Sequence, residues 1–222
     1  MALHTAAKLL QELSMVEGDE LQTHVLYPNL YLLATRQKTN VERALIDLTT
    51  FATKSNQQDN PGVVFGIATA HLLLKQTQRA RNQLKRLIKA PWTLEEGEYL
   101  ERCWLLLSDI YIQAGQNKME VANELLRRVL TYNRSCAKAY EYLGYIMEKE
   151  QSFREAAGHF ENAWKMSDQS NGMVGYKLAL SYLKAKQYTD AIDISQSVLT
   201  KYPNHPRIRK DVLEKAIANL RS

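Results

Sequence analysis

The chain has little of what disulfide-stapled, disordered or membrane-spanning proteins need. It holds two cysteines in 222 residues, and both Cys103 and Cys136 fall inside expected helices. They read as small, reduced core residues rather than a disulfide or a metal pair. Nine glycines and five prolines are too few for a disordered chain and suit helices joined by short turns. Pro61, Pro91, Pro203 and Pro206 fall between periodic segments, where a missing N–H costs no helical hydrogen bond. Pro28 is the exception and marks a kink or a helix start. The longest apolar stretch, Val63 to Leu74, is interrupted by Gly66, Thr69 and His71 and is too short to cross a bilayer. Met1 to Glu12 reads as an amphipathic helix carrying Lys8 and Gln11, not as a charged start with an apolar run. The chain is therefore expected to be cytoplasmic and soluble, and the Asn133-Arg134-Ser135 acceptor triplet is not expected to be glycosylated.

Reactive constellations are equally scarce. His4, His24, His71, His159 and His205 lie in different expected elements, and no two sit one helical turn apart as metal ligation on a helix requires. Gly62 and Gly66 lack the third glycine, the lysine and the preceding strand of a phosphate-binding loop. No serine or cysteine has a neighbouring histidine or aspartate pattern. The expectation is a non-enzyme with no catalytic residues, no cofactor, no metal and no small-molecule substrate.

What the sequence does have is repetition. Between Cys136 and Pro203 one helix-turn-helix pattern is written twice at an offset of 35 residues, so that Gly144 is answered by Ala179, Phe153 by Tyr188 and Ala156 by Ala191. Small residues recurring where two helices approach, at a period of about 34 residues, mark the tetratricopeptide repeat. In the first copy Tyr140, Leu143, Gly144 and Met147 form one apolar stripe, and Ala156, Phe160 and Ala163 another. A glycine inside a helix costs about 1 kcal/mol relative to alanine, so Gly144 needs a packing reason, which a closely facing helix supplies. The second copy uses Leu178, Ala179 and Tyr182, then Tyr188 and Ala191, with Ser195 replacing Phe160 and Val198 replacing Ala163. Upstream, Trp104, Leu107, Ser108 and Tyr111 pair with Ala122, Leu126 and Val129, and Val64, Ile67, Ala68 and His71 pair with Ala80, Leu84 and Leu87. The polar Thr93-Leu94-Glu95-Glu96-Gly97 insertion reads as an extended helix start.

The pattern predicts an all-α fold: a tetratricopeptide-repeat superhelix, or α-solenoid, of antiparallel helix pairs with a C-terminal capping helix. Its expected parts are a half repeat over residues 1–17 (Ala6, Leu10, Leu13) and a degenerate repeat over 18–56 (Tyr31, Leu32, Thr35, then Ala44, Leu48, Phe51). Repeats over 61–90, 95–133, 136–168 and 171–203 follow, then a cap over 206–221 presenting Ile208, Val212, Ala216, Ile217 and Leu220. The half repeat suggests a segment cut from a longer array, and the cap suggests its C-terminal end.

Two surfaces stand out. The helix expected over Thr77 to Ala90 carries Arg79, Arg81, Lys85, Arg86 and Lys89 and no acid, and Arg81, Lys85 and Lys89, spaced by four, form one basic stripe. Such a stripe suits phosphates or an acidic partner; the plainer reading is a solvated face answered by Glu95, Glu96, Glu98 or Glu101. No aromatic residues interleave with the charges, so nucleic acid is not expected. The second surface is the concave wall that first helices line in such folds. It would hold Phe65, Leu72 and Leu73, then Leu105, Asp109 and Ile112, then Glu141, Tyr145 and Glu148, then Tyr176, Leu180 and Leu183. A wall this apolar points to a protein partner's apolar or helical segment; curvature or the capping helix burying part of it is the plainer reading.

The run Cys136-Ala137-Lys138-Ala139-Tyr140-Glu141-Tyr142-Leu143-Gly144-Tyr145-Ile146-Met147-Glu148-Lys149-Glu150 resembles the C-terminal portion of the tetratricopeptide repeat protein 21 family. So do Val174 to Ala179, Tyr182 to Lys186, Asp190 to Ile194 and the ending Pro206 to Arg221. That family supplies the large repeat subunit of intraflagellar transport complex A. The resemblance implies a structural role in retrograde ciliary transport and ciliary receptor trafficking, in the cilium and basal body, with other subunits of that complex as partners and no membrane insertion. It carries no catalytic residue and no residue-by-residue contact. The alternative is a cytosolic chaperone- or peptide-docking adaptor. That role needs basic and amide groups to clamp a terminal carboxylate, whereas the expected wall offers Leu105, Asp109, Glu141, Tyr145 and Leu180.

Overall fold

The computed structural model describes residues 25–115 and 118–221. The half repeat with Ala6, Leu10 and Leu13, and the histidines His4 and His24, lie outside the described residues. Among the described residues all regular structure is helical, as expected of an all-α chain. The chain divides into two compact units, Met1–Ile110 and Tyr111–Ser222.

In the first unit α1 (Tyr27–Ala34) packs on α2 (Lys38–Lys54), α2 on α3 (Pro61–Leu73), and α3 on α4 (Thr77–Leu84). Pro28 occupies the first turn of α1, so it is a helix start and not a kink. Pro61 opens α3 behind Asn60, whose side-chain oxygen accepts the N–H groups of Gly62 and Val63 at 3.0 and 3.2 Å. Two apolar clusters hold the unit together. Leu26, Leu48, Ala52, Val63 and Ile67 form one, and Leu33, Val41, Ala44 and Ala70 the other. Tyr31, Leu32 and Thr35, expected to face this core, are only half-buried.

Two expectations fail here. The helix expected to continue to Ala90 ends at Leu84, tightens into a 3-10 turn over Lys85–Leu87 and then leaves helical structure. At that ending the Leu87 carbonyl accepts the Trp104 indole N–H at 3.0 Å inside the core, beside the Ala90 N–H at 3.2 Å. Leu94 to Glu96 of the insertion form a turn and not a helix start, and α5 (Gly97–Ala114) begins only at its last residue, Gly97, against which Trp92 packs so closely that a Cβ would sit 2.8 Å from the indole. Cys103 and Cys136 are both buried, as expected of core residues; Cys103 lies within α5, but Cys136 stands just before the following helix, which starts at Ala137, and not inside it.

The second unit contains α6 (Met119–Tyr132), α7 (Ala137–Lys149), α8 (Phe153–Met166), α9 (Gly172–Lys184) and α10 (Tyr188–Lys201). A π-helical turn (Arg209–Leu213) leads into α11 (Glu214–Arg221). Each helix from α6 to α10 packs on the next, and α10 packs on α11. The packing reason required of Gly144 is Phe160, because a Cβ added at Gly144 would lie 2.7 Å from two carbons of that buried ring. One repeat on, Ala179 and Ser195 hold the corresponding positions, both fully buried. The first helix has gained a methyl where the second has lost a ring. Ser195 donates its hydroxyl to the Ala191 carbonyl at 2.6 Å, so the smaller side chain leaves no polar atom unpaired. Ile208, Val212 and Ala216 are fully buried against the end of the stack, four residues apart; Leu220, expected on the same face, is 55% exposed.

The turns within helix pairs share a backbone device that the sequence does not announce. After α3, α7 and α9 the chain passes through Lys75, Gln151 and Lys186, each at φ near +60°. In each case the next residue's N–H reaches back to a carbonyl five residues earlier: Gln76 to His71 at 2.8 Å, Ser152 to Met147 at 3.0 Å and Gln187 to Tyr182 at 2.9 Å. This left-handed closure satisfies the last helical carbonyls and reverses the chain. Gly115, after α5, has φ +98°.

Candidate protein-interaction surfaces

The predicted wall residues occupy first helices of successive pairs. Phe65 and Leu72 on α3 and Leu105 and Asp109 on α5 belong to the first unit, and all four are half-buried. Phe65 is not bare: its ring lies 6.3 Å from that of Tyr99, and the Arg102 guanidinium sits 5.8 Å from the centre of each. A cation over two rings leaves their apolar area covered on one side and polar outside.

In the second unit Ile112, Tyr145, Leu180 and Leu183 are half-buried. Tyr145 packs edge-on against Phe160 at 5.4 Å, and the Lys177 ammonium lies 5.3 Å from its ring centre. Lys177 also reaches Glu148 across the gap between α7 and α9, at 2.7 and 3.1 Å to the two carboxylate oxygens. Lys184 approaches the same carboxylate at 3.8 Å and covers the Phe153 ring at 4.7 Å. The Tyr145 phenol is pushed up to about 12 by its burial and then by Glu141 and Glu148, so it remains a neutral donor. This face is therefore a row of rings beneath fixed ion pairs, more polar than the sequence suggested. The pairs link residues 29 and 36 positions apart, neither of them the 35-residue repeat offset, so the repeat pattern carried no signal for them.

Tyr176 does not belong to the open wall. It is 6% exposed, its ring stacks on His205 at 5.4 Å and its hydroxyl donates to the Asp211 carboxylate at 3.2 Å. The segment leading into the capping helix covers it, which is the plainer reading at the position where it was not foreseen.

The basic stripe is also corrected. Spacing by four makes one face only on a continuous α-helix, and that helix ends between Arg81 and Lys85. Arg81 is half-buried with its Nε enclosed and without a hydrogen-bond acceptor, whereas Lys85 and Lys89 are exposed. The acid that answers this segment is Asp59, which holds Arg86 at 2.7 Å; Glu98, one of the expected partners, pairs instead with Arg102 on its own helix.

Of the described histidines, His71 and His205 are placed for packing, His205 stacked on Tyr176. His71 is buried with Nδ1 2.9 Å from the Gln76 side-chain oxygen, and its pKa is lowered chiefly by burial. Among the described residues no group of three or more histidine, cysteine, aspartate or glutamate side chains is arranged to hold a metal ion. No helix among them is long and apolar enough to cross a membrane.

Tetratricopeptide repeat protein 21B of Mus musculus is 53% identical over 223 residues, covering 100% of this chain and 16% of that protein. Tetratricopeptide repeat protein 21A of Mus musculus is 51% identical over 220 residues, covering 99% of this chain and again 16% of the relative. The chain thus spans about one-sixth of the length of the curated relatives it matches. Among solved structures, a chain of the APC/C hetero-tetramer Cut9–Hcn1 superposes with a TM-score of 0.66 at 17% identity, covering 99% of this chain and 40% of that one. That likeness establishes the tetratricopeptide-type α-solenoid fold. The family model described as the tetratricopeptide repeat protein 21 C-terminal ARM domain matches residues 5–217, and the chain belongs to the tetratricopeptide repeat protein 21 family.

Proposed function

We propose that the chain is a non-catalytic protein–protein interaction scaffold, a part of intraflagellar transport complex A that serves retrograde ciliary transport and the trafficking of membrane receptors through the cilium and basal body. The observation that carries this reading is the family match along residues 5–217, at half identity or better to both mouse relatives. The surfaces assigned to partner binding are the first-helix faces, one in each unit: Phe65, Leu72, Leu105 and Asp109 in the first, and Ile112, Tyr145, Leu180 and Leu183 in the second. Half-buried leucines beside rings that lie under lysine and arginine suit a partner segment that is apolar with acidic flanks, because association would keep the cations paired while burying the rings. The repeats of this scaffold are assigned to residues 18–56, 61–90, 95–133, 136–168 and 171–203.

The test is capture of the tagged 222-residue chain from ciliated cells, with the subunits of complex A quantified against an unrelated solenoid of equal charge. Enrichment of those subunits is expected, together with a loss of about tenfold or more in a Leu105→Ala/Tyr145→Ala double variant whose helicity is unchanged. Absence of every complex A subunit removes the ciliary assignment. Full retention by the double variant moves the contact off the first-helix face.

A further inference from the structure

A second surface lies in the second unit, lined mostly by second helices. Arg127, Leu130, Thr131 and Arg134 from α6 and the chain just after it, Leu143 from α7 and His159 from α8 enclose a shallow cleft of about 400 Å³. Its floor is apolar: Leu143 is 2% exposed, and Leu130 is half-buried. Its rim is cationic, since Arg127 and Arg134 are both exposed, and no acidic side chain is among the lining residues. Arg127 is already oriented, because its Nε donates to the Asn123 side-chain oxygen at 2.8 Å, and its guanidinium carries four further N–H donors on the two terminal nitrogens. The Thr131 hydroxyl donates to the Arg127 carbonyl at 3.0 Å and so presents no donor that would compete with the arginines.

We propose that this cleft docks an acidic segment of a protein partner, with one carboxylate held between Arg127 and Arg134 and a neighbouring apolar side chain laid over Leu130 and Leu143. Two arginines flanking an apolar floor match a carboxylate beside an aliphatic side chain, the planar fork supplying bidentate geometry that a lysine would not. A volume near the low end of the range for ligand sites, about 300–1,000 Å³, takes a few side chains and not a folded domain. Two cations are too few to track a nucleic-acid backbone. The field at His159 agrees with the geometry. Burial first and then Arg127 lower its pKa, against Glu155 on its own helix, while the Tyr140 ring lies 6.4 Å from it on the α7 side. A bound carboxylate would offset the Arg127 contribution.

The experiment uses the intact 222-residue chain and a fluorescein-labelled dodecapeptide of alternating leucine and glutamate, with a leucine–glutamine peptide and an oligothymidylate dodecamer as competitors. Anisotropy is expected to show the glutamate peptide binding about tenfold or more tightly than either competitor. An Arg127→Glu/Arg134→Glu variant should lose that binding, and Arg127→Gln/Arg134→Gln should weaken it. Lys85→Glu/Lys89→Glu and Leu105→Ala/Tyr145→Ala should leave it unchanged, which separates this cleft from the basic segment of the first unit and from the first-helix face. The His159 ring signals should report a raised pKa in the peptide complex. No binding, equal binding of the glutamine peptide, preference for oligothymidylate, or retention by both arginine variants would each overturn the proposal. Its failure would leave the first-helix reading standing, since the capture experiment reads different residues.

Discussion

The second helices of the two units differ although the turns that launch them do not. α8 and α10 each run 14 residues, whereas α4 stops after 8 and collapses into a 3-10 turn. The preceding turns are alike, with Lys75, Gln151 and Lys186 in the same left-handed conformation and the same backward hydrogen bond. The difference is in charge. α8 and α10 start with Glu155 and Asp190 and end with Lys165 and Lys201, signs that suit the helix dipole, and α8 adds a Glu161–Lys165 pair at 2.7 Å. α4 has no acid in its first turn, and Arg81, Lys85 and Lys89 would repel one another at successive four-residue spacings. Each term is a few tenths of a kcal/mol, yet a helix end is decided at that scale, and the bonds from Leu87 to Trp104 and from Arg86 to Asp59 hold the shortened form. The helix-pair opening is a backbone property; the length of the second helix is an electrostatic and packing property.

The comparison breaks most visibly where the second unit depends on one ring. Phe160→Ala should cost about 4 kcal/mol in urea unfolding, the range for a fully buried aromatic removed from a core. Gly144→Ala should cost about 1–3 kcal/mol despite the better helix propensity of alanine, because the new methyl meets the Phe160 ring at 2.7 Å. The pair should be coupled: in a Phe160→Ser background, which copies Ser195 one repeat on, Gly144→Ala should become neutral or stabilising. Additive penalties would show that the ring is not what demands the glycine.

In the first unit the corresponding lever is Trp104. Trp104→Phe keeps most of the buried area but removes the N–H donated to Leu87, so it should destabilise by about 1–2 kcal/mol. Thermal unfolding of the variant against the parent checks it. A change near zero would mean that the Ala90 N–H, 3.2 Å from the same carbonyl, satisfies it alone.

These two sites divide what could be read in the sequence from what could not. Gly144 was legible because a helical glycine carries its own cost and so requires a neighbour, and Phe160 lay at the right repeat position to be that neighbour. The buried stripes through Leu143, Leu178 and Val212 were legible because helical spacing alone puts them on one face. The break in α4 was not, because no single residue breaks the helix and the bonds that hold the shortened form come from Asp59 and Trp104. The burial of Tyr176 was hidden for the same reason: His205 and Asp211 reach it from 29 and 35 residues on, the first beyond Pro203 and the second beyond Pro206 as well. On the wall, the apolar positions could be listed from spacing, but their lysine and arginine covers are contacts between successive first helices. The shared turns were invisible at Lys75, Gln151 and Lys186, since neither lysine nor glutamine signals a positive φ.

Those turns sharpen the comparison at a smaller scale. A non-glycine residue held in the left-handed region costs about 1 kcal/mol, offset in part by the chain entropy glycine brings to the unfolded state. Lys75→Gly, Gln151→Gly and Lys186→Gly should each stabilise by about 0.5–1 kcal/mol, and equally, because the turn is the same in both units. Replacement by Val at the same positions should destabilise, since β-branched side chains tolerate this conformation least. A gain confined to one unit, read by hydrogen exchange at Gln76, Ser152 and Gln187, would show that the turns are equivalent in shape but not in energy.

The smallest effect tests the electrostatic account of α4 itself. Lys85→Glu replaces two like-charge spacings with two opposite ones, to Arg81 and to Lys89, each worth about 0.2–0.5 kcal/mol on a helix. If charge sets the ending, α4 should extend past Leu84 and the far-ultraviolet helical signal should rise, with Lys85→Gln giving roughly half the change. If packing sets it, neither variant moves the signal, because extension would pull the Leu87 carbonyl from the Trp104 indole. Combining Lys85→Glu with Trp104→Phe distinguishes the two. Extension only in the double variant would mean that repulsion weakens the helix but the buried hydrogen bond ends it, and the second helix of this pair would then be short for a tertiary reason that charge merely permits.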